Sequence, residues 1–198
     1  MGHATLRGVE GARRRATYAD LLGVPEHLVA EIVDGELVTS PRPGPPHALA
    51  ASALTSVLFD RFNGPPGGTP EPGGWWIISE PELHLGDDVL VPDAAGWRRE
   101  RMAALPDAVF FEMPPDWVCE VISPSSGRLD RTRKMPLYAR ERIGHLWLVD
   151  PAARTVEVYR LEGGRWLVME TLAGEAPARI VPFDAVEIDV RRWWPDAL

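Results

Sequence analysis

The chain has 198 residues, 45% hydrophobic and 25% charged, which suits one domain with a sizeable core. Acids outnumber bases by 29 to 21, for a formal net charge of −8; this excludes strong indiscriminate attraction to nucleic acid unless a local basic patch or a metal cation supplies it. No apolar run is long enough to span a membrane, no apolar h-region marks a secretory signal, and the single cysteine, Cys119, permits no internal disulfide; a cytoplasmic protein is the simplest reading.

Residues 1–16 are expected to form a disordered or tag-like lead, with Arg13, Arg14 and Arg15 a solvated run, and residues 17–198 a single domain. Thr17 with Asp20 three positions later has the form of a capping box and predicts a short helix stopped near Gly23 and Pro25. Two apolar runs then flank Asp34-Gly35, a strong hairpin signal. A two-residue turn there pairs Val33 with Glu36 and Glu31 with Val38, so these four share one face, because cross-strand partners lie on the same side of a sheet.

After the proline-rich loop PRPGPP, the run HALAASALTSVLFDRF has helical spacing at Leu49, Ala53, Leu54, Val57 and Leu58. The Pro/Gly-rich segment NGPPGGTPEPGG reads as a loop. WWIISEPELHL and DVLVPDAAGW read as one long hairpin about a Gly86-Asp87-Asp88 turn, followed by the strand DWVCEVIS, a helix over TRKMPLYARERI, and the strand HLWLVDP ending at Pro151. A last hairpin turns at Gly163-Gly164, and VEIDV reads as a final short strand. This order predicts a mixed α/β (α+β) domain with a mixed central sheet flanked by helices and extra β-hairpins, rather than a regularly alternating doubly wound fold.

Two acids sit where acids are costly. In DWVCEVIS, Val118, Glu120 and Ile122 share one face and Trp117, Cys119 and Val121 the other, so both faces are apolar except for Glu120. Either Glu120 reaches solvent or a salt bridge at the strand end, or it is paired with a metal, since an isolated buried carboxylate is expensive. Asp93 stands on a similarly apolar run just after Pro92, and proline there implies a bend or bulge. Two carboxylates from neighbouring core strands suit a hard cation such as Mg²⁺. The basic residues number 21, and only one of them, Lys134, is a lysine. GC-rich codon bias is the bland explanation of the arginines; the one lysine is then either a chance survivor or a compact titratable ammonium that arginine cannot replace.

Pro92-Asp93 followed by Glu120-Val121-Ile122 resembles the signature of the PD-(D/E)XK, restriction-endonuclease-like superfamily. The segments TYADLL, AEIVDGELV, the proline-rich loop before His47, VPDAAGW, CEVISPSS, the run of Asp130, Arg131, Lys134 and Tyr138, and HLWLVDP follow in the order of its Uma-two branch of endonucleases. The likeness covers roughly residues 17–192. Ile122 departs from it, standing where the pattern has its lysine, and Lys134 is the one lysine able to replace it.

The resemblance implies a metal-dependent phosphodiesterase with Asp93, Glu120, Lys134 and Glu31 at its site. Asp93, Glu120 and the Val121 carbonyl would hold Mg²⁺ or Mn²⁺, and Lys134 would orient the attacking water. Nucleic acid is the expected partner, DNA before RNA, and a homodimer is compatible with the family. Arg128, Arg131 and Arg133, with Arg140 and Arg142, form either a phosphate-binding region or an ordinary solvated helix face. Glu31 would bind a second metal or hold a water, or is simply an exposed hairpin charge, and Glu36, on the same face, is the weaker alternative to it. Tyr138 could hold Lys134 or simply pack, His47 could cap its helix or face the cleft, and Cys119 reads as an inert core residue. A second expectation stands beside the nuclease: Ile122 and the acidic net charge also fit a catalytically silent scaffold of the same fold that binds a protein partner or nucleic acid.

Overall fold

The protein is described here by a computed structural model covering residues 14–68 and 71–194. Thr17 caps helix α1 (Tyr18–Leu22) through the expected box, with the Asp20 carboxylate accepting from the Thr17 amide at 2.8 Å. Strands β1 (Leu28–Val33) and β2 (Glu36–Pro41) form the first hairpin in the predicted register, Glu31 opposite Val38 and Val33 opposite Glu36. Asp34 and Gly35 take φ values of 54° and 77°, the paired left-handed turn that matches strand twist. Of the expected lead, residues 1–13, Arg13 included, lie outside the described residues. Residues 14–16 are not loose: Ala16 donates to the Gly35 carbonyl at 2.8 Å, Arg14 pairs with Asp20 at 2.7 Å, and Arg15 pairs with Asp87 at 3.3 Å.

Helix α2 (Pro45–Phe62) begins two residues before His47, because proline is pre-shaped for a first helical turn. Its deepest row is Ala50, Leu54, Leu58 and Phe62, with Ala53 and Val57 half-buried beside it. The long central hairpin keeps one continuous register from Trp75 opposite Arg98 to Leu85 opposite Asp88, but it divides between two sheets. Strands β3 (Trp75–Ser79) and β6 (Ala94–Arg98) belong to the large sheet; β4 (Leu83–Leu85) and β5 (Asp88–Leu90) join the first hairpin. Its turn is Gly86-Asp87, with Asp88 already paired.

Strand β7 (Trp117–Val121) lies antiparallel to β6 and parallel to β8 (His145–Asp150). A helix makes the crossover that a parallel pair requires. It runs without a break as α3 (Gly127–Leu129), a π-helical turn (Asp130–Lys134) and α4 (Met135–Arg140). This helix starts earlier than the sequence reading allowed. Pro136 lies well inside it and is accommodated because the widened turn has already left the i−4 ladder: the Met135 amide donates to the Asp130 carbonyl, five residues back. Strands β9 (Thr155–Glu162) and β10 (Arg165–Leu172) turn at Gly163-Gly164 as expected.

The sheets have orders β2-β1-β5-β4 and β10-β9-β8-β7-β6-β3, and every named pair except β7–β8 is antiparallel. The sequence expectation of a last strand at VEIDV is corrected. Ile188 makes a single bridge to Ala178, and Val190–Trp193 then closes as a 3₁₀ turn whose Val190 and Trp193 are buried.

Both faces of β7 are covered. Trp117, Cys119 and Val121 pack beneath α2 in a cluster centred on Phe183, whose ring centroid lies 4.8–5.5 Å from those of Phe62, Trp75, Trp117 and Trp147. Val118 packs on the opposite side with Leu146, Leu148 and the helical Leu137 and Tyr138. Glu120 shares that second face. No described helix is long and apolar enough to cross a membrane.

Candidate active site

Four elements deliver charged side chains to one cavity of about 310 Å³. β1 supplies Glu31, the seam between the two halves of the central hairpin supplies Asp93, β7 supplies Glu120, and the π-helical turn supplies Asp130 and Lys134. His47, from the first turn of α2, closes one side.

Glu31 is buried, not an exposed hairpin charge. Its Oε1 accepts from the Val91 amide at 2.8 Å, an N–H that the break in the central hairpin leaves without a ladder partner. Asp93 acts similarly at the other side of the seam: Oδ2 accepts from the Val121 amide at 2.7 Å. The same acids therefore close the sheet seam and face the cavity. Glu36, the weaker alternative, points away to Arg133 at 2.9 Å.

Lys134 joins the acids together. Its ammonium stands 2.8 Å from Glu120 Oε1, 2.9 Å from Glu31 Oε1 and 4.0 Å from Asp130 Oδ1, with only 3% of the residue exposed. Burial alone would lower its pKa, but Glu120 and Glu31 outweigh that and push it well above the usual lysine range. Burial pushes Glu120 well up; Lys134 opposes the shift, while Asp130, Asp93 and Glu31 add to it. Tyr138 donates its hydroxyl to Glu120 Oε1 and so holds the carboxylate rather than the lysine.

Two residues matter more here than their sequence context indicated. Asp130 is buried, with Oδ2 unpartnered among the described residues, and burial raises its pKa against the pull of Lys134. Its signal was the i,i+4 spacing to Lys134, obscured because the helix was expected to begin later. His47 Nε2 lies 3.2 Å from Asp93 Oδ1, while its buried Nδ1 has no hydrogen-bond partner among the described residues. Burial would lower its pKa, but the Asp93 contact outweighs this and raises it. The helical register of α2 shows only that His47 is in the first turn, not that this turn overhangs β7.

The arginines are unequally engaged. Arg131 pairs with Glu157, Arg133 with Glu36 and Asp34, and Arg140 with Asp88 and Asp34. Arg128 is exposed and has no ion pair among the described residues. Cys119 is fully buried, and burial raises its thiol pKa, as an inert core cysteine requires. Among the described residues, no group of three His, Cys, Asp or Glu side chains is close enough to form a ready-made metal cage.

The chain has the same fold as a solved structure described as a putative nuclease belonging to DUF820 from Anabaena variabilis, with a TM-score of 0.71 and 23% identity over 92% of this chain and 99% of that one. A comparison with curated proteins finds no match. A family model matches residues 15–191, nearly the whole described chain and all of the cavity residues, and on that match the chain belongs to the Uma2 (Uma-two) family, described as putative restriction endonucleases.

Proposed function

We propose that this chain is a divalent-metal-dependent nuclease that hydrolyses phosphodiester bonds, with DNA as the first candidate substrate. The observation that carries the proposal is the position of Lys134. Ile122 denies β7 its expected lysine, yet an ammonium still meets Glu120 at 2.8 Å, delivered from the crossover helix to the same cavity as Asp93. A silent scaffold has no need for a buried lysine coming from another element to restore that contact, since burying a charge is costly unless it is well paired.

The residues present suit a hard cation. The cavity offers carboxylate and carbonyl oxygens, five acids (Glu31, Glu80, Asp93, Glu120 and Asp130) against Lys134 and Arg42, and an unpartnered Asp130 oxygen. Asp93 and Glu120, with the Val121 carbonyl, would hold Mg²⁺ or Mn²⁺; waters and substrate oxygens would complete the shell, as magnesium sites commonly use only one or two carboxylates. Bound there, the cation lowers the pKa of a water and offsets charge growing on the phosphate.

The chain's own groups have distinct roles in this reading. Lys134 points its fixed positive charge at the reacting phosphate and orients the attacking water. Glu31 holds Lys134 in place, Tyr138 fixes the rotamer of Glu120, and His47 anchors Asp93. The test is cleavage of labelled oligonucleotides with Mg²⁺ or Mn²⁺, using Lys134→Ala as control. The variant is expected to lose about 10²–10³-fold in rate, the cost of removing one transition-state donor. Equal rates in the variant and the wild type would remove Lys134 from the chemistry.

A further inference from the structure

We infer that the substrate is an unpaired strand, with a single nucleotide seated in the cavity, rather than a continuous duplex. This rests on the nuclease reading above and specifies its substrate class. The first ground is size. At about 310 Å³ the cavity is at the small end of ligand pockets, which run from about 300 to 1,000 Å³. That space takes about one nucleotide. A duplex presents its phosphates beside grooves about 6 and 12 Å wide and could reach the acids only by releasing a nucleotide from its stack.

The second ground is the lining, which combines two chemistries. Asp93 and Glu120 are among the lining acids. The lining also carries Val29, Val38 and Leu129, all half-buried, and Ser40. Hairpin register explains this grouping: Val29 pairs with Ser40 and Glu31 with Val38, so all four share the face that carries Glu31 toward the cavity. An apolar hairpin face that borders the same cavity as acids able to hold a phosphate-binding cation is complementary to a base and its own phosphate. Inside a duplex that base is stacked and paired.

The third ground is charge. Binding along a duplex commonly engages six to ten phosphates. Here Arg131, Arg133 and Arg140 are committed to Glu157, Glu36 and Asp88, and Lys134, buried among acids, can serve only the reacting phosphate inside the cavity and not a duplex backbone outside it. Arg42, which lines the cavity and donates to the Glu26 carbonyl at 2.9 Å, and Arg128, beside the cavity's Leu129, have no ion pairs among the described residues; Arg142, also without one, lines a separate cleft with Pro136 and Gly163. Two phosphate contacts on a single strand give a salt slope of about −1.4, far shallower than duplex tracking requires.

The experiment offers the full chain, with Mg²⁺, an equimolar mixture of a labelled oligodeoxynucleotide and the same strand annealed to its complement. The free strand is expected to be cut at least about tenfold faster, because extruding a nucleotide from a duplex costs a few kcal/mol. Duplex cut as fast or faster would overturn the inference while leaving the nuclease reading intact. If neither is cut, the nuclease reading fails, and fluorescence anisotropy of the same two probes decides this one. At least about tenfold tighter binding of the free strand supports it; equal affinity, a preference for duplex or no binding overturns it. Ser40→Trp, which places an indole on the hairpin face shared with Val29 and Val38, is expected to abolish strand binding without altering the calorimetric Mg²⁺ isotherm. Val29→Trp repeats the test should Ser40→Trp not fold. Unchanged strand binding in a folded wedge variant would also overturn the inference.

Discussion

Lys134 Nζ lies 2.8 Å from Glu120 Oε1, although the two side chains come from a crossover helix and a core strand fourteen positions apart in sequence. The contact depends on the π-helical turn, which sets Asp130 and Lys134 on the buried side of the helix while letting Pro136 follow. Removing the ammonium leaves Glu31, Glu120 and Asp130 facing one another without their shared cation. Lys134→Met is expected to destabilise the metal-free protein by about 3–5 kcal/mol, the usual cost of breaking a buried ion pair from one side. Added Mg²⁺ should recover part of the loss. Denaturant unfolding with and without Mg²⁺ measures both effects; a variant as stable as the wild type would show that the contact carries no net stability.

Tyr138→Phe keeps the ring in its core cluster and deletes the hydroxyl that Glu120 accepts from. Partners that orient a metal-binding carboxylate typically contribute about 10–100-fold to affinity. The variant is expected to fold normally and to bind Mg²⁺ more weakly by about that factor. A calorimetric titration checks this, and unchanged affinity would reassign Tyr138 to packing alone.

Phe183→Ala tests the opposite side of β7. Its ring packs against Phe62, Trp75, Trp117 and Trp147, none of which lines the cavity. A loss of about 3–5 kcal/mol in unfolding free energy is expected, with Mg²⁺ affinity unaltered in the folded fraction. Loss of metal binding from a still-folded variant would mean that the two faces of the sheet are coupled.

His145, at the start of β8, has its pKa lowered, first by burial and then by Arg98. The unfolded chain therefore binds a proton at this site at a higher pH than the folded chain does. Its contribution to stability is present above the unfolded histidine pKa, about 6.5, and is lost as pH falls through the lower folded value. Urea midpoints across that range should decline toward acid in the wild type and decline less in His145→Gln. Parallel profiles would place the acid sensitivity elsewhere.

Local rules made much of the fold readable. The Thr17 box, the Asp34-Gly35 register and the Gly163-Gly164 turn each depend on residues only a few positions apart, and each formed as expected. The apolar faces of DWVCEVIS also identified β7 as a strand covered on both sides. The split of the central hairpin between two sheets was not legible, because Trp75 through Leu85 keeps one register throughout and only the third dimension separates the halves. VEIDV alternates like a strand but lacks a continuous partner, so it makes one bridge.

The candidate site divides in the same way. Asp93 and Glu120 were conspicuous as acids on apolar runs. Asp130 was hidden by the helix start and the π-helical turn, which no local propensity marked. His47 depended on how α2 crosses the sheet. The arginines looked like one basic cluster, yet most are consumed by acids distant in sequence, such as Glu36, Asp88 and Glu157.

The most direct measurement is a calorimetric titration of Mg²⁺ or Mn²⁺ into the wild type and into the Asp93→Ala, Glu120→Ala double variant. A saturable isotherm in the wild type that disappears in the folded double variant is the expected result, placing the cation between β6 and β7 in the cavity that holds Lys134. No binding by the wild type, or the same isotherm in both proteins, would contradict a metal centre at these acids and with it the nuclease mechanism.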